Sequence, residues 1–393
     1  MPASRALRGV AALIAVFIAS LAGSMTLHAS QDTPIAPTSS PTALPPEASG
    51  EQIFRASCAT CHGPDGKGSP QSVVGFALPL PDDHTFPDFT DCPTNTPETL
   101  DTWMAIAHGG GPARGLDRHM PAFGDALSRQ QIARVIKYVW SLCSDPAWPR
   151  GDLNLPRAFF TEKAFPENEA VWTTGVTGTG AKAVTNQVTY EHRLGARNQY
   201  EVTVPFDIQQ RDTGGAWQRG LGDIEVALRR TFYASLSRGS IFAAGGAVTL
   251  PTGKEAEGLG NGFTIYEPFA MWGQRLGSHA FAQVHAGYEI ASNHETGQNE
   301  AYLRTAIGYQ GAQDDGFGRT WVPMMEVLIT KPDHARTEWD VVPQMQVSLS
   351  KLQHIMLSAG VRLPLNERAD RKPQVVTYFL WDWFDGGLFS FWK

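Results

Sequence analysis

Hydrophobic and polar positions follow a different rule in each of five successive stretches of this chain. Arg5 and Arg8 precede an apolar run from Val10 to Leu21, and small residues lead on to Ala29. That layout predicts an export signal over residues 1–29, too short to serve as a spanning helix. Residues 30–47 are rich in Pro, Ser and Thr with almost no large apolar side chains, so they predict a tether with no core to join. Between 48 and 145 the period is helical. Ile53 and Phe54 sit on one predicted helix, and Leu100, Trp103, Met104 and Ala107 share a face of another. Ser128 and Gln131 form a capping box ahead of Ile132, Val135, Ile136, Val139 and Trp140, which recur at the spacing of one helix face. Pro146, Pro149, Pro156 and Pro166 then mark residues 146–168 as an irregular boundary, either free or packed along the helical region.

From residue 169 the period becomes two. Tyr200, Val202, Val204, Phe206 and Ile208 alternate with Glu201, Thr203, Pro205, Asp207 and Gln209, and Ile355, Leu357, Ala359, Val361 and Leu363 alternate with a polar set that includes His354, Ser358 and Arg362. Similar runs near 184–194, 222–233, 240–250, 263–274, 278–291, 300–310, 320–330, 338–350 and 374–384, with 169–177 a further candidate, bring the total to about 10–12 strands joined by Gly, Asn and Asp turns. The expected fold is therefore multidomain: an all-α domain at 48–145, then an all-β antiparallel barrel at 169–393.

The apolar face of such strands points inward in a soluble sandwich or barrel and outward in an outer-membrane barrel. Strands of ten residues or more, charged inward candidates such as Glu201 and Arg229, and aromatics near strand ends (Trp217, Phe232, Tyr233, Trp272, Trp321, Trp339, Trp381) favour lipid outside. The closing Phe389, Phe391 and Trp392 resemble the aromatic last strand of outer-membrane proteins, with Lys393 a departure from it. Gly220-Leu221-Gly222-Asp223 followed by Thr249-Leu250-Pro251-Thr252-Gly253 is similar to the small outer-membrane barrels described as transporter-like or phenol-degradation-pathway proteins. That resemblance implies outer-membrane lipid as a partner and leaves the cargo open.

Composition narrows the partners. The 393 residues carry a formal net charge of −7, with no basic footprint for nucleic acid. They hold only four cysteines. Cys58-Ala59-Thr60-Cys61-His62 places two thiols and an imidazole where the thiols can add to both haem vinyl groups while the imidazole binds the iron. A zinc half-site needs a second ligand pair, and a redox CxxC wants a βαβ context; neither is present. Covalent haem c, one per chain, is the expected cofactor. In the oxidising compartment that export and haem attachment imply, Cys92 and Cys143 most simply pair.

Gly50 and Phe54 before the haem motif, with Tyr138 on the capped last helix, resemble a class I cytochrome c, in which the first helix packs against the last. That resemblance implies a thioether ligand on the loop before the last helix, and Met120, followed by Pro121, stands there. His119 is its rival, one residue away. Met104, His108 and His84 are weaker candidates: Met104 reads as core and His108 as a helix C-terminal residue. His62 is expected to donate its other ring N–H to a carbonyl, with Pro70 the candidate.

Iron held by His62 and Met120 has no open position, which predicts one-electron transfer with periplasmic redox proteins rather than catalysis. The alternatives are a peroxidase-like haem enzyme with an open iron and an outer-membrane solute channel with an accessory cytochrome. Gly253-Lys254 lacks the spacing of a phosphate loop, and His108-Gly109-Gly110-Gly111 lacks a partner nucleophile. His279, His285, His294 and His334 lack metal spacing and read as lumen or loop residues.

Overall fold

The structure, a computed structural model, describes residues 44–69, 86–312, 318–369 and 371–382. The export signal, most of the tether, Pro70, His84 and the aromatic C-terminus (Phe389, Phe391, Trp392, Lys393) lie outside the described residues.

The helical region comprises α1 (Gly50–Ser57), α2 (Ala59–His62), α3 (Cys92–Asn95), α4 (Leu100–Gly109) and α5 (Arg129–Leu142). Two capping boxes start its main helices: Ser49 and Gln52 exchange hydrogen bonds at α1, and Ser128 and Gln131 do the same at α5. α1 crosses α5 at Gly50, where a Cβ would overlap the Arg134 carbonyl oxygen, and the Phe54 and Tyr138 rings meet at 5.3 Å. Ile53, Phe54, Phe89, Leu127, Ile132, Val135, Ile136, Val139 and Trp140 form one buried cluster, with Trp103 and Met104 packed on its margin. A disulfide joins Cys92 to Cys143, with Cα atoms 5.1 Å apart, and so ties α3 to the end of α5.

Among the described residues, fourteen strands follow in one sheet. They are β1 (Glu169–Thr177), β2 (Ala183–Leu194), β3 (Asn198–Gln210), β4 (Trp217–Leu221), β5 (Ile224–Ser235), β6 (Ser240–Leu250) and β7 (Ile265–Leu276). The rest are β8 (Ala280–Ala291), β9 (Glu300–Tyr309), β10 (Gly311–Ala312), β11 (Thr320–Pro332), β12 (Glu338–Ser348), β13 (Ile355–Pro364) and β14 (Gln374–Asp382). β14 pairs back onto β1, with Val171 opposite Leu380, so twelve antiparallel strands close a barrel; the short β4 and β10 are appended to β3 and β11. Closure leaves no open sheet edge in that ring.

The period of two decides what the wall presents on each side. Glu191 and Glu326 are fully buried on the inner face, whereas Leu228 is 61 % exposed, Ile307 56 % and Trp172 53 % on the outer face. Charge inside and apolar surface outside invert the pattern of a water-soluble barrel. No described helix is long and apolar enough to cross a membrane, a statement that does not bear on strands.

Candidate functional site

The haem motif occupies one turn. The N–H groups of Cys61 and His62 both donate to the Cys58 carbonyl, at 3.2 and 3.0 Å, so α2 presents the two thiols and the imidazole together. Neither Cys58 nor Cys61 belongs to a disulfide. The His62 ring packs against Phe89 at 4.6 Å and Phe86 at 6.1 Å. Burial pushes the His62 imidazole down to about 4, so at neutral pH it is the uncharged ring that binds metals. Its Nδ1 is buried without a hydrogen-bond partner among the described residues, and so is the indole N–H of Trp103, whose ring meets Phe89 edge-on at 5.5 Å. Two cysteines outside any disulfide, a neutral imidazole and an unspent buried donor are a donor set that fits a covalent haem. Within it, Cys58, Cys61 and His62 would hold the porphyrin and the iron.

The Met120 loop folds back onto the end of α4. Gly111 N–H donates to the Met120 carbonyl at 3.0 Å, Phe123 N–H to Ala107 at 3.0 Å and Gly124 N–H to His108 at 2.9 Å. Gly111 permits the close approach, because a Cβ there would overlap the Asp117 carbonyl oxygen and crowd the Met120 side chain. Met120 is half-buried. Its rival His119 is held by Asp117, whose Oδ1 lies 2.6 Å from the ring Nδ1 and accepts the His119 N–H at 2.8 Å. Met104 packs at the core margin, and His108 is exposed at the end of α4 with Gly124 against its ring.

Polar contacts rivet this domain to one end of the barrel. Glu98, just before α4, meets His354 Nε2 at 2.6 Å, and Arg114 donates to the Lys351 carbonyl at 3.2 Å. Burial works against the Glu98 carboxylate, but His354, Arg114 and a hydrogen bond from Thr102 together hold it below the usual carboxylate range. Asp152 does two tasks: one oxygen accepts the Leu100 N–H at the start of α4 at 3.1 Å, and the other pairs with Arg275 on β7 at 3.2 Å. Arg197, between β2 and β3, donates to the Ala147 carbonyl at 2.9 Å. A cavity of about 100 Å³ lies in the seam, with Glu98, Lys163, Glu167, His354 and Asp382 beside Leu155, Met356 and Leu380 in its lining.

The boundary segment contains what pattern reading missed. From Leu153 the chain enters the barrel and returns to β1. Leu153 and Phe165 pack on Ile241 and Met271, Leu155 and Ala158 on Phe281 and Met324, and Phe159 on Tyr378. These partners lie on β6, β7, β8, β11 and β14, around the circumference, so the segment occupies the lumen. Arg157 pairs with Glu169 and Glu191, and Lys163 with Glu167 and Glu169. Glu326 on β11 accepts three successive backbone N–H groups, from Phe159 at 2.9 Å, Phe160 at 3.0 Å and Thr161 at 2.7 Å. The available signal was a set of glutamates at inward strand positions facing a Pro-rich stretch that itself carries Arg157 and Lys163.

A helical domain with a CxxCH turn that continues into a closed, outwardly apolar barrel defines a cytochrome–barrel fusion. Residues 45–139 match the family model described as cytochrome c oxidase, cbb3-type, subunit III, so the N-terminal region is a cbb3-type cytochrome c domain. A curated relative, the cbb3-type cytochrome c oxidase subunit FixPc of Rhizobium leguminosarum bv. viciae, is 33 % identical over 106 residues. The match takes in 26 % of this chain and spans 32 % of that relative's length. A cytochrome c domain implies covalently bound haem c. Among solved structures, the COG4313 outer membrane channel from Pseudomonas putida F1 aligns with 58 % of this chain and 99 % of its own at 10 % identity and TM-score 0.41. The KdgM porin in complex with disordered oligogalacturonate aligns with 55 % of this chain and 98 % of its own at 9 % identity and TM-score 0.37.

Proposed function

We propose that this protein is an exported cytochrome with a single haem that passes one electron at a time, held at the periplasmic face of the outer membrane by its barrel. The observation that carries the reading is the junction itself: a haem-binding domain fastened to one end of a barrel whose outer wall is apolar. When bound, haem supplies an iron that changes valence by one electron. His62 then offers a neutral ring nitrogen, and Phe86 and Phe89 keep water from that ring. Met120, on a loop braced by Gly111 and α4, is the proposed sixth ligand, and a saturated iron would exclude small guests.

The lengths of the connections support this orientation. Three connections at the cytochrome end are of three or four residues (195–197, 236–239, 277–279), with 349–354 and 310–319 longer, whereas the other end carries 211–223, 251–264, 292–299 and 365–373 beside the short 178–182 and 333–337. Short turns face the periplasm in outer-membrane barrels. The electron donor and acceptor are then periplasmic redox proteins.

Two measurements test the reading. Outer-membrane fractions of cells expressing the protein should contain haem that survives denaturation, on a band whose gel mobility changes on heating; haem found wholly in the soluble fraction would refute the anchor. Ferric protein should show the near-red sulfur-to-iron band, lost in Met120→Ala and kept in His119→Ala. The reverse result would assign His119. A high-spin iron that binds peroxide in the unaltered protein would instead establish the peroxidase-like reading.

A further inference from the structure

Residues 153–166 lie in the lumen, yet they form no strand and add no ladder to the wall. Pro156 and Pro166 cannot donate backbone hydrogen bonds, and the segment's apolar contacts fall into three separate small clusters rather than one core. Its backbone is held chiefly by side chains of the wall. Glu326 grips Phe159, Phe160 and Thr161 and also accepts from Gln344 at 2.6 Å; Gln283 donates to the Pro156 carbonyl at 2.8 Å, and Tyr378 to that of Arg157 at 2.7 Å. Glu326 is the only wall side chain among these that binds three consecutive residues at once. Both ends of the segment are secured separately, by Asp152 at the rim and by the start of β1. A stretch tied at both ends and latched at its middle can leave the lumen without detaching the cytochrome.

The plug also neutralises the wall. Arg157 and Lys163 are its own cations, and their partners Glu169 and Glu191 belong to β1 and β2. Beyond the latch, inward positions carry Glu225, Glu267, Glu289 and Glu300, all half-buried, with Arg304 on β9 and Arg362 on β13 among them, the latter paired with Asp340. With the plug withdrawn, Glu169 loses Arg157 and Lys163, Glu191 loses Arg157 but keeps Arg229, and Arg229 loses the plug's own Glu162, so two cations leave with one anion and the lumen becomes more acidic.

We propose that residues 153–166 are a gate latched by Glu326, and that the barrel behind it is a cation-conducting pore held shut. This rests on the membrane reading above, and the test separates the two. Purified full-length holoprotein is reconstituted in phospholipid vesicles and planar bilayers, beside Glu326→Gln and a variant in which 153–166 is replaced by a Gly/Ser linker of equal length. Failure of the unaltered protein to float with vesicles would sink the membrane reading, not the gate.

With insertion established, the unaltered protein should be electrically quiet and the linker variant should conduct about ten-fold more or better, with a reversal potential in a KCl gradient of the sign for cations. Equal conductance of the two, a quiet linker variant that still shows a heat-modifiable fold, or preference for anions would each overturn the proposal. If the linker variant does not fold, Ala158→Cys decides. Its buried thiol should resist maleimide in the otherwise unaltered protein and react in the Glu326→Gln background; equal rates in the two backgrounds would remove the latch.

Discussion

Gly50 carries the contact between the first and last helices of the cytochrome domain. The α1 and α5 backbones approach so closely there that any Cβ meets the Arg134 carbonyl and the Tyr138 Cβ. Gly50→Ala should destabilise the domain by about 1–3 kcal/mol, read as a lower denaturant midpoint of the haem absorbance. A change below a few tenths of a kcal/mol would mean that the helices part without cost. At this scale the sequence was most informative where chemistry is local. Cys58, Cys61 and His62, the proposed haem ligands, stand out in the sequence because thioether attachment would need them within one turn. Glu326 was not legible, because an inward glutamate has no meaning until the segment it grips, more than 150 residues earlier in the chain, is placed beside it.

Between elements, the start of α4 is where the two halves of the molecule meet. Asp152 caps that helix and pairs with the barrel, and Glu98 reaches His354 from the residues just before it. The Glu98 carboxylate is held below its ordinary range in the folded protein, so its contribution is full above the unfolded pKa and is lost as pH falls through the folded one. Glu98→Gln should therefore loosen the junction at pH 7. The difference from the unaltered protein should shrink as the pH drops below about 4. Limited proteolysis at the junction across that range is the measurement; a difference that grows on acidification would show that Glu98 is not the group responsible. The capping boxes at Ser49 and Ser128 were readable in advance because each spans four residues. The Glu98–His354 contact joins residues 256 apart and was not.

For the molecule as a whole, the inverted barrel makes the sharpest claim about solvent. Leu228 is 61 % exposed on the outer face. If that face meets lipid, Leu228→Arg should cost up to about 2–4 kcal/mol, according to depth, in urea unfolding from vesicles. If it meets water, the change should stay within about 0.5 kcal/mol. The twelve strands of the closed ring follow from the period of two, whereas the short β4 and β10 carry too few residues to show a period and were not foreseen.

The sequence by itself determined the long helices, the strands of the closed ring, the motif proposed for haem attachment and the change from helix to strand. These depend on residues within a few positions of one another, where periodicity and covalent chemistry act directly. The tertiary structure alone decided that the barrel closes through β1 and β14, that the cytochrome is riveted at the mouth, and that the Pro-rich boundary fills the lumen. Those outcomes join charges and backbone groups far apart in the chain, and a buried carboxylate has no identifiable partner until the fold brings one to it.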